Sequence, residues 1–341
     1  MKITIRDVAD KAGVSPATVS LVLNNKSGVG ETTREKVFKI AESLGYDTLK
    51  EKKQSNTGGT IRFLKIVKHG HVLNRDHNIF ISDYIDGIEK EAKKYEFRLE
   101  IKNYNGFNLK HIVQDLKDSS IGGLIVLGTE LNYDDITLFH NIRVPIVFVD
   151  ASHPYSPFDF IDMDNEGAVF SLVSALKKQG HKKIGLVKAI FETRNFRLRE
   201  KSFYDALSFF GLESNKSWEY VVDSTFEQSY LDMKEQLKEE RKLPTAFFCV
   251  CDIISFGCMK ALKGKGLRIP EDISIVGFDD LPSCLLSDPP LSSVKVSKTR
   301  IGRRAFQLLN RRLQASEKLP YEKIFIGREL IIRESIGENK L

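Results

Sequence analysis

The sequence predicts an α/β protein in two parts: a three-helix N-terminal headpiece with helix-turn-helix spacing, and a two-lobed body built on parallel sheets. Three observations carry this. Residues 1–46 show short apolar stripes at helical spacing, cut by glycines. Residues 47–60, DTLKEKKQSNTGGT, are polar, lysine-rich and aperiodic, which is the composition of a linker. Residues 61–341 alternate short apolar runs with amphipathic stretches, the pattern of parallel strands covered by helices.

In the headpiece, Thr4 is placed to cap a first helix whose inner face is Ile5, Val8, Ala9 and Ala12, and Gly13 ends it. Ser15 suits an N-cap, and Pro16 suits the first helical position, where its missing N–H is no loss. Val19, Val22 and Leu23 face inward in this second helix, which leaves Pro16, Ala17, Thr18, Ser20 and Leu21 outside. A polar loop, residues 24–30, follows. Thr32-x-x-Glu35 resembles a capping box, and Val37, Ile40, Ala41 and Leu44 then stripe a third helix that stops at Gly45. Two short helices across a glycine turn, braced by a third, form a plan whose second helix enters the DNA major groove. Ser15, Thr18 and Ser20 can donate to phosphate oxygens, and Ala17 and Leu21 can meet thymine methyls. Thr4 and Asn24, at helix ends, complete the expected DNA-facing set. The first 60 residues hold ten Lys/Arg against seven Asp/Glu, a mild attraction for a polyanion.

The body's expected strands are 61–67, 97–101, 124–127, 146–149, 184–187, 246–250 and 273–276, with helices over 83–95, 169–179 and 254–263 among them. That is more chain than one doubly wound sheet takes. We therefore expect an N-terminal lobe of about 61–160 and 282–312 and a C-terminal lobe of about 161–281 and 313–341, with a seam near Phe160.

Several classes are excluded. No apolar run reaches the length of a membrane span, and the start has no hydrophobic signal segment, so a cytoplasmic protein is expected. Cys249, Cys251, Cys258 and Cys284 lack metal or disulfide spacing and read as small buried hydrophobes. No P-loop, GxSxG or HExxH motif is present, and the neighbours Asp279 and Asp280 would not face each other, so neither an enzyme nor a cofactor is expected. His69, His71 and His77 have no fixed carboxylate or cysteine partner, so a metal site is not expected either.

The run TIRDVADKAGVSPATVSLVLNNKSGVGETTREKVFKIAESLGY resembles the headpiece of the lactose/galactose-repressor (LacI/GalR) family. The resemblance continues through Asp164-Asn165-x-Gly167, Gly180-His181-Lys182-Lys183-Ile184-Gly185, RIPEDISIVGFDD and ELIIRES. It implies a repressor that binds a pseudo-palindromic operator as a homodimer, with a periplasmic-binding-protein-like body holding a small effector, a sugar or sugar derivative. The absence of a leucine-heptad tail favours a dimer. By the same resemblance, Arg199 and Asp279 are the expected effector contacts. Asp252, beside Cys251, stands where relatives have Asn-Asp, and Phe226 is the nearest aromatic for stacking, with Ser224 the stricter match. Leu21 stands where relatives carry a polar residue, Gly30 where they carry a serine cap, and Ser55 near the hinge leucine that wedges the minor groove. The linker is therefore expected to touch phosphates through Lys50, Lys52 and Lys53 and to bend DNA less. His71, with its neighbours and Arg75, is a further candidate effector contact, and this group could favour an anionic ligand such as a sugar phosphate.

Overall fold

The computed structural model describes residues 4–23, 28–44, 46, 59–106, 108–117, 120–240 and 242–339. The chain divides into two compact units, Met1–Gly59 and Thr60–Leu341. Asn24, Lys50, Lys52, Lys53 and Ser55 lie outside the described residues.

The first unit has three helices: α1 (Ile5–Ala12), α2 (Pro16–Leu23) and α3 (Glu31–Ser43). Thr4 and Asp7 form a reciprocal cap on α1, and Gly13 closes it in the left-handed conformation at φ +65°, which glycine adopts without a Cβ penalty. Val8, Ala9, Ala12, Val19, Val22, Val37, Ala41 and Tyr46 make one core. The expected capping box at Thr32 is corrected. The Arg34 N–H donates to the Gly30 carbonyl at 3.0 Å, so α3 begins two residues earlier, with Gly30 at the cap and Thr32 inside the helix.

The second unit contains two six-stranded sheets. The N-terminal lobe holds β1 (Thr60–Val67), β2 (Arg98–Asn105), β3 (Gly123–Leu127), β4 (Ile146–Val149), β5 (Asp159–Met163) and β11 (Lys323–Ile326), in the order β11-β5-β4-β3-β1-β2, all parallel. The C-terminal lobe holds β6 (Ile184–Ala189), β7 (Glu219–Val222), β8 (Ala246–Cys249), β9 (Ser274–Asp279), β10 (Ser292–Lys295) and β12 (Glu329–Ile331), in the order β12-β10-β9-β8-β6-β7. Only the β10–β12 pair is antiparallel. Helices α4 (Asn78–Lys94), α5 (Leu109–Lys117), α6 (Tyr133–Thr137) and α11 (Lys298–Gln314) belong to the first lobe. Helices α7 (Asn165–Lys178), α8 (Arg194–Phe210), α9 (Phe226–Gln236) and α10 (Asp252–Gly264) belong to the second. The central strands β3, β4 and β8 are buried along their whole length, as strands covered on both faces must be. All four cysteines are free and buried.

The chain passes between lobes three times, and the expected boundaries need correction. Residues 292–295 pair with β9, so the return comes after β10 and not at 282. Residues 323–326 pair with β5, so the last passage falls between β11 and β12 and not at 313. Strand β5 escaped the sequence reading because DFIDM carries two carboxylates on a fully buried strand. Asp159 is held there by both arms of Arg312, at 2.6 Å each, and Asp162 by the Met163 and Asn195 N–H groups.

Candidate functional site

The DNA-facing candidates cluster at the start of α2. The Thr18 N–H donates to Ser15 Oγ at 3.0 Å, and the two hydroxyls lie 2.9 Å apart. Ser15, Pro16 and Ala17 are exposed; Thr18, Ser20 and Leu21 are half-buried over the inward Val19 and Val22. The N-terminal turn of α2 is thus a rigid, capped prow of short side chains, which lets backbone approach a groove closely. Ser15 and Thr4 both spend side-chain hydrogen bonds on capping, so their free capacity toward phosphate is smaller than the sequence suggests.

The second candidate site is a cavity of about 40 Å³ between the lobes. It lies at the carboxyl ends of the strands, where ligands bind in open α/β sheets. Val72, Leu73, Phe80 and Ile81 supply one apolar wall, and Thr129, Asp150, Asn195, Arg199 and Asp279 supply the polar one. The Arg199 guanidinium sits 3.6 Å over the Phe278 ring. It donates to Asn165 Oδ1 at 2.9 Å and to the Val250 carbonyl at 2.6 Å, and lies 3.7 Å from Asp279 Oδ1. Asp150 accepts from Tyr84 Oη at 3.1 Å, from Asn195 at 3.2 Å and from Thr129 Oγ1. Asp162 lies behind them, fully buried, with Oδ2 unpartnered.

Carboxylates outnumber cations here, and their titration shows it. Burial pushes Asp279 and Asp162 up to about 8, with Arg199 opposing the shift at Asp279 and Asp150 adding to it at Asp162. Burial also raises Asp150. Asp279 and Asp280 hold left-handed backbone, φ +122° and +50°, a strain of the kind found at ligand sites. The buried Lys298 ammonium, on α11 of the first lobe, donates across the cleft to the Asp279 carbonyl at 2.7 Å and lies 3.9 Å from Asp83 of its own lobe.

Of the expected effector residues, Arg199 and Asp279 line the cavity; Asp252, Phe226 and His71 do not. Asp252 is a brace inside one lobe. It accepts from the Leu281 N–H, the Ser293 hydroxyl and the Cys284 thiol, and burial lifts it to about 6. Phe226 opens α9 and lines a separate outer groove of about 630 Å³, because α9 starts past the cleft mouth. His71 stacks flat on Phe191, centroids 3.2 Å apart, and seals the mouth without facing the cavity. Sequence reasoning missed Thr129, Asp150, Thr193 and Asn195. Asp150 directly follows β4, Thr129 is the second residue after β3, and Thr193 caps α8, so the rule that ligand residues follow strand ends could have found them.

Comparisons with known proteins agree with this arrangement. Residues 4–48 match the model described as bacterial regulatory proteins, lacI family, and residues 173–336 match the periplasmic binding protein-like domain. The HTH-type transcriptional repressor PurR of Haemophilus influenzae (strain PittEE) is 30% identical over 339 residues, spanning 98% of each chain. The solved transcriptional regulator CelR–cellobiose complex superposes with a TM-score of 0.72 at 22% identity, covering 98% of this chain and 99% of that one. The lac repressor dimer bound to operator and the anti-inducer ONPF gives 0.71 at 24% identity with the same coverage. The chain belongs to the lacI family of bacterial regulatory proteins, as a DNA-binding transcriptional repressor with an effector-binding domain.

Proposed function

We propose that this repressor is controlled by a small, neutral, hydroxyl-rich effector of the sugar class, bound between the lobes of a homodimer. The observation that carries the reading is the polar wall: Asp150 and Asp279, with Asp162 behind, face a single guanidinium, Arg199. With these carboxyls holding their protons more tightly than usual, such a wall offers both donors and acceptors, the complement of a hydroxyl-rich ligand. The anionic effector suggested by the histidine-rich loop is set aside because His71, stacked on Phe191, and Arg75 do not line the cavity. A solved relative of this fold is a cellobiose complex, which supports the sugar class. The cavity of about 40 Å³ is far smaller than the roughly 300–1,000 Å³ typical of ligand pockets, so the lobes part to admit a sugar. Effector and operator then compete for, or share, one lobe arrangement, and the response is limited by the difference in effector affinity between arrangements.

Operator contact is assigned to the start of α2: Ser15, Pro16, Ala17, Thr18, Ser20 and Leu21, with Thr4 beside it. Self-association is assigned to the outer groove, where Leu285 and Leu286 are 65% and 86% exposed beside Phe226, Phe256 and Met259. Contiguous exposed apolar surface of this kind marks an interface.

A thermal-shift panel of neutral sugars, the same sugars phosphorylated and purine bases tests the effector class. A neutral sugar should stabilise the wild type and fail with Arg199→Ala and Asp279→Ala; stabilisation by phosphorylated sugars alone would contradict the reading.

A further inference from the structure

We propose that Glu130 is the positioning residue of the effector cleft: its single carboxylate gathers the backbone of residues 68–73 into a lid that spans the two lobes. Glu130 follows β3 and is 6% exposed. Its Oε2 accepts the N–H groups of Lys68, His69 and Gly70 at 2.9, 3.0 and 3.1 Å. Its Oε1 accepts those of Val72 and Leu73 at 3.0 and 2.8 Å, with His69 Nδ1 at 3.3 Å. Five backbone donors thus converge on one side chain. Burial alone would raise this acid, but the donors from Leu73, His69 and Gly70 outweigh it and hold the group below its ordinary value.

The shape so imposed has three consequences. Val72 and Leu73 are turned into the cavity wall. The His71 ring is laid on Phe191 of the opposite lobe, and its carbonyl accepts the Ser224 hydroxyl of that lobe. The segment that follows carries Asp76, which accepts the Phe226 N–H at 3.0 Å, and His77, whose Nε2 lies 3.9 Å from Cys251 Sγ. Glu130 touches none of these partners across the cleft. It acts through the loop, and so sets how readily the cleft opens without contacting the effector. Its bearing on regulation rests on the cleft being the effector site; the geometry itself does not.

The test is hydrogen exchange on the full-length protein without ligand, comparing wild type, Glu130→Gln and Phe191→Ala. The amide variant keeps the size of the side chain but loses its charge and one acceptor oxygen. It should speed exchange at residues 68–73 at least about tenfold, and at the Phe226 amide on the other lobe as well, while Phe247 and Phe248 in β8 stay protected. Phe191→Ala should speed Phe226 but leave 68–73 protected. The proposal is overturned if 68–73 keep wild-type protection in Glu130→Gln, if they loosen while Phe226 does not, or if Phe191→Ala loosens 68–73 equally. Should Glu130→Gln not fold, Glu130→Asp, which keeps both oxygens but withdraws them by one carbon, carries the same comparison. Because no effector is present, failure here leaves the assignment of the cleft intact, and failure of the sugar panel leaves this result standing.

Discussion

At the scale of single residues, the cleft is governed by a shortage of positive charge. Arg199 is the cation among Asp150, Asp162 and Asp279, and it also pins Asn165 and the Val250 carbonyl. Arg199→Ala should destabilise the fold by about 3 kcal/mol, read by denaturant melts, because buried acceptors lose their donor. The raised acids give stability a definite pH dependence. A carboxyl that binds its proton more tightly when folded contributes stability that is lost as pH rises toward its folded value. His77 and His153, lowered to about 4 by burial, work in the opposite sense, but only below their unfolded value near 6.5. Between pH 6.5 and about 8, Asp162 and Asp279 therefore act without them, and the melting temperature should fall as pH rises. Asp162→Asn should flatten this slope; a slope unchanged by that variant would refute the account. Arg199 and Asp279 were legible through family resemblance. Asp162 was not, because only the folded sheet places it behind Asp150.

At the scale of elements, caps and close packing decide what the sequence can reveal. The Ser15-Pro16 start of α2 was readable because both residues have local, chain-neighbour reasons to be there. Ser15→Ala should cost about 1 kcal/mol of headpiece stability and weaken operator binding, as followed by hydrogen exchange of α2 amides and by DNA titration. The α4–α11 contact was not readable. There the backbones touch through Gly87 and Gly302, and a Cβ on Gly302 would meet the Tyr84 carbonyl oxygen at 2.1 Å. Gly302→Ala should therefore destabilise the N-terminal lobe by about 1–3 kcal/mol in a urea melt, the reverse of what helix propensity favours in a helix interior. Strand β5 and the short strands β7 and β10 to β12 were missed for a related reason. Their pairing is non-local, and their charged or brief sequences carry no strand periodicity.

At the scale of the whole molecule, two sheets, three passages of the chain and a buried acidic cleft place the lobes where a ligand can report on their spacing. The two-part organisation was legible from the loss of periodicity after residue 46. The lobe boundaries were not, since β10 and β11 join sheets distant in sequence. If the outer groove joins two copies, Leu286→Glu should shift the sedimenting species from dimer to monomer and lower operator affinity, because two half-sites then bind independently. The most direct test of the central claim, that cleft occupancy controls DNA affinity, is a fluorescence-anisotropy titration of an inverted-repeat operator duplex with wild type and Arg199→Ala. It would be run with and without the neutral sugar that gives the largest thermal shift. The account predicts an operator Kd that moves at least about fivefold with the sugar in the wild type and stays fixed in the variant. An unmoved Kd in the wild type, or an equal shift in Arg199→Ala, would contradict it.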